Sequence, residues 1–552
     1  MESRVPPPAG PCSRSWCSPA GWRAFLTPLG PARSLDPVPH RSAPISPESE
    51  DRVSRALGAA LRGVDGVAVE VEVRISSQLP RVDIVGLPEA AVRESAARVR
   101  AAVCAIGLRF PDRRVTVNLA PAELRKTGAG LDLPIAAAIL AAEGQLENDV
   151  LTRVGLIGEL ALDGRLRPVR GALSLALALR DAGCLEIVVP ARNAAEAALA
   201  PGLVVRSAEA LSEVVAHLLG VEALSCARAA SSAPAATRAL DLADVRGQEH
   251  AKRALEVAAA GGHGLLLRGA PGAGKTMLAR RLAGLLPPLT REEAIAVTRI
   301  HGAAAPLETP IVNERPFRAP HHTASAAGLL GGGSPPRPGE VSLAHGGVLF
   351  LDELPEFDRR CLESLRQVIE ERRVVVARAH ATCVFPADFQ LVAAANPCPC
   401  GWRESGRRDC RCDDGAVARY LARVSGPLLD RIDLHVTLQP VEWRALAAPD
   451  PRSPDSSSVR ERVLAARRLQ DRRGVAPNAR IPDGALDDLV CATGEARQLL
   501  GRAVDRFALS ARAARRVLRV ARSIADLAGD TRVGPHAVAE GLGYRSEAGG
   551  GS

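Results

Sequence analysis

The stretch Gly269-Ala-Pro-Gly-Ala-Gly274-Lys275-Thr276 decides the fold class of this chain of 552 residues. It has the full spacing of a phosphate-binding loop, and it lies between an apolar strand at Leu265–Leu267 and a helix predicted over Met277–Leu286. Glycines allow backbone amides to surround a phosphate at a helix N-terminus, where the helix dipole favours anions. The stretch therefore predicts an α/β fold with a nucleotide site. The residues expected to contact the nucleotide are Gly269, Ala270, Pro271, Gly272, Ala273, Gly274, Lys275, Thr276 and Met277.

Two carboxylates follow a second apolar strand about eighty residues downstream. The stretch Val348-Leu-Phe-Leu-Asp352-Glu353 indicates a buried parallel strand that places both acids at its carboxyl end. In phosphoryl transfer, Thr276 and Asp352 would hold Mg²⁺, and Lys275 would bind the β- and γ-phosphates. Glu353 would activate the attacking water. The sequence thus predicts ATP hydrolysis with Mg²⁺ as cofactor.

Three more polar residues lie where such a reaction would use them. A third apolar strand ends at Asn396, which would sense the γ-phosphate and orient water, or would only form a turn before a proline. Arg431 precedes a strand at Leu434–Leu438. It would be a salt-bridged surface arginine or, in a ring ATPase, would reach the γ-phosphate of the neighbouring subunit. Arg512, at the start of a C-terminal helix, is the predicted lid contact to phosphate. The other arginines of that helix, solvated or in contact with a polyanion, are Arg515, Arg516, Arg519 and Arg522.

These elements in this order, preceded by Asp244-Val-Arg-Gly247-Gln-Glu249, resemble an AAA+ ATPase with a helical lid. Two further stretches, Phe317-Arg-Ala-Pro-His321-His322-Thr-Ala-Ser and Gly426-Pro-Leu-Leu-Asp-Arg431-Ile-Asp433, are similar to those of the magnesium-chelatase-like ComM/YifB family. The resemblance covers about Val53 to Arg545. It implies a hexameric, ATP-driven motor that promotes branch migration of DNA in homologous recombination, notably in natural transformation.

The resemblance also implies two elements that point into the pore of the ring. One is an insertion around Phe317–Gly333, and the other is a hairpin formed by Val374–Val376 and Thr382–Phe385. Their candidate DNA contacts are Arg318, Arg372, Arg373 and Arg378. Phosphate-contacting arginines would make DNA binding fall steeply with salt, although a solvated face is the commoner place for any single arginine. The adjacent pair His321 and His322 fits the insertion loop better than a metal site, because neighbouring side chains point apart.

Four cysteines form two pairs, Cys398-Pro-Cys400 and Cys410-Arg-Cys412. Four thiolates satisfy a tetrahedral structural Zn²⁺, and the alternative is a loop of reduced thiols. Trp402 and Arg403, between the pairs, are possible nucleic-acid contacts. We expect a chelator to loosen this loop without emptying the nucleotide site.

The N-terminal part resembles a different class of enzyme. The stretches at 158–171 and 187–193 are similar to the proteolytic domain of Lon, an S5-like α+β fold. A Ser–Lys dyad needs a lysine base, but Leu173 stands where the resemblance would place it, and the segment Lys126–Asp132 has no serine. We therefore expect a Lon-like fold without peptidase chemistry that serves assembly or DNA binding. Lys126 would touch phosphate or cap a strand.

Composition shifts divide the chain. Residues 1–50 hold 11 of the 42 prolines and are predicted to be a disordered extension, which would be an artefact if translation starts near Val53. Ser458, with Glu461 three positions later, predicts a capping box at a helix start. The remaining predicted parts are the Lon-like domain at 51–222, a linker at 223–239, the ATPase core at 240–442 with its cysteine loop at 398–412, a linker and helix at 443–480, and the helical lid at 481–547.

The composition is that of a cytoplasmic globular protein, with no apolar run of membrane-spanning length and few cysteines. The net charge of +9 is compatible with a polyanionic partner. Only three lysines occur, which makes each one a candidate for chemistry that arginine cannot supply. Besides a DNA motor, two functions stay open: a metal-chelatase or protein-remodelling motor, and a nucleotide-gated binding protein with little turnover.

Overall fold

The computed structural model describes residues 53–128, 130–229, 240–378, 381–403, 406, 408–441 and 453–546. The predicted extension at 1–50 lies outside the described residues, as do 230–239 of the first linker and 443–452 of the second. We call residues 53–229 the first region and residues 240–546 the second region. Among the helices that the structure describes, none is long and apolar enough to cross a membrane.

The first region is built on an eight-stranded mixed sheet. The strands of this region are β1 (Val53–Arg62), β2 (Asp65–Ser76), β3 (Arg81–Val85), β4 (Arg114–Ala120), β5 (Val154–Leu156), β6 (Glu159–Leu160), β7 (Leu166–Arg167), β8 (Glu186–Pro190), β9 (Val204–Ala208) and β10 (Ser225–Cys226). The helices are α1 (Ala90–Arg93), α2 (Ser95–Ala105), α3 (Asp132–Ala142), α4 (Asn148–Leu151), α5 (Ala172–Asp181), α6 (Ala191–Ala197) and α7 (Leu211–Leu218). The strand order of the sheet is β10-β9-β8-β5-β1-β2-β4-β3.

Strand β2 alternates between buried and partly exposed residues. Val69, Val71 and Val73 are fully buried on one face, and the strand pairs antiparallel with β1 and β4. The helical segment between β3 and β4 is interrupted, since α1 ends at Arg93 and α2 begins at Ser95. One boundary differs from the sequence prediction. Strand β10 pairs with β9, so the sheet extends into the segment assigned to the linker.

The second region is built on a five-stranded sheet. Its strands are β11 (Leu265–Gly269), β12 (Phe317–Arg318), β13 (Gly331–Gly332), β14 (Arg337–Pro338), β15 (Val348–Leu351), β16 (Arg373–Arg378), β17 (Ala381–Pro386), β18 (Gln390–Ala395) and β19 (Leu434–Leu438). Its helices are α8 (Glu249–Gly261), α9 (Lys275–Leu285), α10 (Arg291–Ala304), α11 (Ala326–Leu330), α12 (Glu340–Leu343), α13 (Arg359–Glu371), α14 (Asp414–Leu421), α15 (Gly426–Leu429), α16 (Ser456–Arg472), α17 (Leu486–Val490), α18 (Gly494–Phe507), α19 (Ala511–Ala528) and α20 (Pro535–Ser546).

The order of this sheet is β12-β15-β18-β11-β19, and every neighbouring pair is parallel. Strands β15 and β18 are buried along their whole length, as expected for a parallel sheet covered by helices on both faces. Because the strands run in one direction, the residues that follow β11, β15 and β18 meet at a single edge. The predicted α/β fold with a parallel sheet is confirmed.

The C-terminal helices pack on the same core as the helix that follows the phosphate loop. Val517, Val520 and Ile524 of α19 share one buried cluster with Leu278 and Leu282 of α9. Helix α16 begins earlier than predicted. Its N-cap is Asp455, whose carboxylate accepts the Ser458 N–H at 3.0 Å, so the capping box predicted at Ser458 is wrong. The Asp455 carboxylate, a stronger hydrogen-bond acceptor than a serine hydroxyl, caps the helix instead.

The two regions are packed against each other. Val64, in the turn between β1 and β2, belongs to the buried cluster of the second region that includes Cys383 and Phe385. Arg299 of α10 donates to Asp65 at 2.5 Å. The turn at the end of β1 is thereby fixed to the β16–β17 hairpin, whose predicted strands are confirmed.

Candidate nucleotide site

The phosphate loop joins β11 to α9, as its spacing predicted. Gly272 and Gly274 have φ values of +79° and +94°, which only glycine adopts without strain. Gly274 is the N-cap of α9, so the unpaired amides of the first helical turn face the loop. This geometry suits an anion at the helix N-terminus.

Lys275 is buried within the loop, with only 9% of its surface exposed. Its Nζ donates hydrogen bonds to the carbonyl oxygens of Gly269 at 2.6 Å and Ala270 at 3.1 Å, and to Oδ1 of Asn396 at 2.9 Å. Burial lowers the pKa of the ammonium, while the charges of Asp352 and Glu353 oppose that shift. The ammonium is therefore fixed at the point where phosphate oxygens would replace its neutral partners.

Thr276 and Asp352 lie together, as the Mg²⁺ prediction requires. The Thr276 hydroxyl donates to Oδ2 of Asp352 at 2.8 Å. The other carboxylate oxygen accepts the backbone N–H of Glu353 at 3.0 Å. A hydroxyl and a carboxylate at one sheet edge are the hard oxygen ligands that Mg²⁺ takes when it also binds phosphates, so the residues fit this ion.

Glu353 has an unusual backbone. Its φ of +54° lies in the left-handed region, which is strained for a residue with a side chain and is found most often at functional sites. The side chain is half-exposed, and Oε2 lies 3.4 Å from Nδ1 of His322. The insertion histidine therefore contacts the carboxylate predicted to activate water.

Asn396 has a second contact that the sequence did not indicate. A hydrogen bond joins its backbone to Tyr420 of α14, and burial, together with the charges of Glu356 and Glu353, raises the pKa of Tyr420 to about 12. Tyr420 therefore stays neutral and holds the end of β18 in place. A lone tyrosine in a helical pattern carries no signal by which sequence reasoning could find this role.

Arg431 and Arg512 lie together at one carboxylate. The side chain of Arg431 is 7% exposed, pairs with Glu370, as one of its two predicted roles has it, and donates to the carbonyl oxygen of Pro427 at 2.7 Å. Arg512 lies 3.8 Å from the same Glu370 carboxylate. Within the described chain, no hydrogen bond or ion pair joins Arg512 to the phosphate loop, and the predicted lid contact of Arg512 to phosphate stays a prediction. Helix α19 instead presents Arg512 beside the arginine of the GPLLDRID stretch.

The other arginines of α19 are all in ion pairs. Arg515 and Arg519 pair with Asp483 at 3.0 and 2.6 Å. Arg516 pairs with Asp433 at 2.5 Å and donates to the Arg431 carbonyl oxygen at 2.8 Å. Arg522, buried, pairs with Asp526. These contacts are internal, and the Arg516–Asp433 pair joins the helix to the segment that leads into β19.

A cavity of about 160 Å³ adjoins the phosphate loop. Pro271 and Met277 line one wall, and Arg246 and Gln248 line another. The third wall is Trp402 of the cysteine loop. Gln248 donates to the Ala273 carbonyl oxygen at 3.3 Å, which ties the stretch before α8 to the phosphate loop. The cavity offers apolar surface next to the phosphate site, as a nucleoside requires.

The four cysteines form one cluster. The sulfur atoms of Cys398, Cys400, Cys410 and Cys412 all lie within 4.8 Å of one another. Zinc–sulfur bonds of about 2.3 Å in a tetrahedron would place the sulfurs about 3.8 Å apart, so the cluster fits Zn²⁺. Backbone N–H groups of Trp402 and Arg411 favour the thiolate of Cys400 and lower its pKa to about 6. Within the residues that the structure describes, this is the one group of three or more His, Cys, Asp or Glu side chains placed to hold a metal ion. His321 and His322 do not belong to it.

The cysteine loop contacts the phosphate loop directly. Gly401 has a φ of +81°, and a Cβ built there would lie 2.6 Å from Cδ of Pro271. Arg408 lies over the Trp402 ring at 4.8 Å. This packing joins the cysteine loop to the nucleotide site, and the expectation that a chelator loosens the loop without emptying that site stays a prediction.

The candidate DNA contacts divide into paired and unpaired arginines. Arg318 forms a two-pronged pair with Glu340 at 2.7 and 2.8 Å, and it lies on the edge strand of the central sheet rather than in a separate insertion. Arg373 lies 3.4 Å from Glu371, and Arg372 lies 3.9 Å from Asp388. Arg378, in contrast, has no ion pair or hydrogen bond from its side chain to any described residue.

The first region has no dyad in the part that the structure describes. Lys126 is fully buried and donates to the carbonyl oxygens of Leu119, at 2.8 Å, and Pro121. It therefore caps the end of β4 and does not face a phosphate. Leu173, at the position where the resemblance to Lon would place the lysine base, is buried in the apolar core beside α6. A side chain at this position is enclosed by apolar residues and has no access to solvent. The expectation of a fold without peptidase chemistry stays a prediction.

Three family models match the chain. "Magnesium chelatase, subunit ChlI" matches residues 241–446, "Subunit ChlI of Mg-chelatase" matches 71–193, and "Magnesium chelatase, subunit ChlI C-terminal" matches 453–545. Over a shorter span, Lon protease 2 of Bacillus subtilis is 29% identical over 180 residues, which are 28% of this chain and 32% of that protein. The weak similarity to Lon is consistent with the resemblance seen in the first region.

Three relatives match nearly the whole chain. Competence protein ComM of Haemophilus influenzae is 43% identical over 492 residues, covering 88% of this chain and 96% of that protein. Protein YifB of Escherichia coli is also 43% identical with the same coverage. An uncharacterized protein of Mycobacterium tuberculosis is 46% identical over 500 residues, covering 89% of this chain and 98% of that protein. The chain therefore belongs to the magnesium-chelatase-like ComM/YifB family.

Proposed function

We propose that this protein hydrolyses ATP and uses the free energy to drive branch migration of DNA. The observation that carries the proposal is the convergence of five side chains at one edge of the parallel sheet. They are Lys275, Thr276, Asp352, Glu353 and Asn396.

The residues divide the work of phosphoryl transfer. Lys275 and the loop amides bind the phosphates, and Thr276 and Asp352 hold Mg²⁺, which offsets the negative charge of the phosphate oxygens. Glu353 is half-exposed and accepts a proton from the attacking water. Asn396, joined to Lys275, senses whether the terminal phosphate is present.

The arginine pair supports a site shared between subunits. Arg431 and Arg512 meet at Glu370, apart from the phosphate loop of their own chain. In the proposed ring, a hexamer, both reach the nucleotide of the neighbouring subunit, with Arg431 leaving Glu370 to do so. The C-terminal helices then form the lid, and the first region is an S5-type, Lon-like domain that serves assembly or DNA binding.

The test is ATP turnover measured at low salt with branched, duplex and single-stranded DNA. We expect branched DNA to stimulate turnover most. Turnover that no DNA stimulates would favour a protein-remodelling or chelatase-type motor on the same core. Absence of hydrolysis under every condition would overturn the proposal itself.

A further inference from the structure

A cavity of about 520 Å³ lies between the two regions, away from the nucleotide site. Five arginines line it, and the only carboxylate among its described lining residues is Glu123. The arginines are Arg62, Arg125 and Arg170 from the first region, and Arg337 and Arg378 from the second region. This excess of positive charge in a concave space calls for a physical explanation.

Among the described residues, one of these five arginines is in an ion pair. It is Arg125, which is paired with Glu89 at 3.2 Å. The side chains of the other four make no ion pair or hydrogen bond with any part of the chain that the structure describes. Burial and the charge of Arg337 lower the pKa of Arg170, while the charge of Glu89 opposes that shift. Arg62, Arg337 and Arg378 are exposed, so their positive charges are accessible to a polyanion that enters the cavity.

The walls of the cavity are held by packing between hairpins. A Cβ built at Gly63, at the end of β1, would lie 3.3 Å from the Cys383 side chain on β17. A Cβ built at Gly332, on β13, would lie 3.4 Å from Nη2 of Arg378. The β1–β2 turn, the β13–β14 hairpin and the β16–β17 hairpin therefore position the arginines before any ligand arrives, which lowers the entropic cost of binding.

We propose that this cavity binds the phosphate groups of a nucleic-acid strand, held jointly by the first region and the hairpins of the second. The inference rests on the proposed function and adds the site at which the strand is bound. The volume lies within the range of ligand sites, and Pro335 and Pro336 give an apolar surface next to the charges. Four guanidinium groups on four separate segments suit successive phosphates of a strand better than one compact phosphate group.

The proposal gives the first region a function that does not depend on peptidase chemistry. Arg62 and Arg170 belong to that region, so binding of the strand in the cavity requires both regions to be packed as observed. A strand bound there would contact the β16–β17 hairpin through Arg378. Because that hairpin leads into β18 and Asn396, the bound strand and the nucleotide site are connected by a short stretch of chain.

The test compares two double variants of the full chain. Arg62→Ala/Arg170→Ala removes two cavity arginines, and Arg109→Ala/Arg153→Ala removes two exposed arginines of the same region that do not line the cavity. Binding of a fluorescent single-stranded oligonucleotide is measured by anisotropy across a salt series. We expect the cavity variant to bind about tenfold more weakly and its salt slope to fall by about 1 to 2, while the control stays close to wild type.

The outcomes separate this inference from the proposed function. If wild type binds DNA and the cavity variant binds it equally well, the cavity assignment is wrong and the motor proposal stands. If wild type binds no DNA at any salt concentration, both fail. A thermal-shift arm with ATP, GTP and inorganic phosphate identifies the remaining case. In this case the cavity variant alone loses its thermal stabilisation by free nucleotide but still binds the oligonucleotide. That result would overturn the assignment of a nucleic-acid strand to the cavity and would assign a small phosphorylated ligand instead.

A second inference rests on a different observation, the contact between the cysteine loop and the phosphate loop. Trp402 forms a wall of the 160 Å³ cavity, and Gly401 is packed on Pro271. We infer that the cysteine cluster, when it holds a metal, keeps Trp402 in place as the surface against which the nucleoside packs. An indole face stacks on a nucleobase whatever the base, because every base has a π-face.

Nucleotide affinity tests this second inference without measuring turnover. Cys410→Ser should release zinc and weaken binding of a non-hydrolysable ATP analogue about tenfold, whereas Cys104→Ser, an exposed cysteine of the first region, should change neither quantity. Trp402→Ala should weaken binding to a similar extent, and Trp402→Phe should restore most of it. Calorimetry gives the affinity, and metal analysis gives the zinc content. Unchanged affinity in Cys410→Ser or in Trp402→Ala would overturn the inference.

Discussion

The two regions of this chain both bury charged residues, but they use them differently. In the first region, Asp132 is enclosed by Ser95 and Arg98, and Lys126 is bonded to carbonyl oxygens, so these groups satisfy one another. In the second region, Lys275 and Glu353 face an open sheet edge. A charged residue therefore indicates a functional site only where a substrate can replace its partners.

The parallel sheet explains why the second region has such an edge. All five strands run in the same direction, so their carboxyl ends meet and the polar residues after them converge. The sheet of the first region is mixed, and antiparallel neighbours such as β1 and β2 send consecutive strand ends to opposite edges. Convergence of functional groups there would need long loops.

Replacing Lys275 should have the strongest effect of the changes predicted here, a loss of ATP turnover at the sheet edge of the second region. Lys275→Ala removes the ammonium that bonds to Asn396 and two loop carbonyls, and we expect ATP turnover to fall at least about 100-fold. Lys275→Arg should fail as well, because the planar guanidinium cannot replace a compact ammonium at a position where only 9% of the lysine surface is exposed. Turnover within a few-fold of wild type in either variant would show that the chemistry lies elsewhere.

Mixing variants tests whether the second region completes its site across a subunit boundary. Lys275→Ala and Arg431→Ala proteins should each be nearly inactive. In an equal mixture, about a quarter of the subunit boundaries would join an intact lysine to an intact arginine, so about a quarter of the wild-type ATPase rate should return. Differently tagged subunits that co-purify show that mixed rings form. Mixed rings without activity would place Arg431 outside the shared site.

A pH effect should distinguish the first region from the second. Glu196, buried behind α5 and near Gly302 of α10, accepts the Leu173 N–H at 3.1 Å. Burial raises its pKa from 4.5 to about 7. The raised value means that folding favours the protonated acid, so its contribution to stability is present below about pH 4.5 and is lost as the pH rises through 7.

Glu196→Gln should therefore match wild type near pH 5 and be the more stable protein at pH 8, by about 2–3 kcal/mol. Apparent melting temperatures at pH 5, 6, 7 and 8 give the comparison, with the exposed Glu222→Gln as the matched control. A pH-independent difference between wild type and Glu196→Gln would contradict the buried-acid account.

Sequence reasoning identified the groups at the sheet edge because strand ends and loop spacing are local properties. It placed Lys275, Asp352 and Asn396 correctly relative to one another, since parallel strands leave little freedom at their carboxyl ends. It did not place Arg512, because the position of a helix from the far end of the chain depends on packing. Glu370, which joins Arg512 to Arg431, carries no sequence signal among many glutamates.

The rarity of lysine was only partly informative. All three lysines are buried, but Lys126 and Lys252 make internal contacts and only Lys275 faces a site. A narrow buried space excludes the larger guanidinium, so a lysine is retained for its size as well as for its chemistry. Trp402 was noticed as a nucleic-acid contact, yet it lines the nucleotide cavity, a placement that depends on how the cysteine loop folds back.

The most direct test of the central claim, that the edge of the five-stranded sheet hydrolyses ATP, is the turnover of Glu353→Gln at saturating ATP with branched DNA present. Glu356→Gln, which alters a neighbouring glutamate paired with Arg423, is the matched control. Our account predicts that Glu353→Gln binds nucleotide as wild type does but turns it over at least about 100-fold more slowly, while the control stays active. Wild-type turnover in Glu353→Gln would contradict the account.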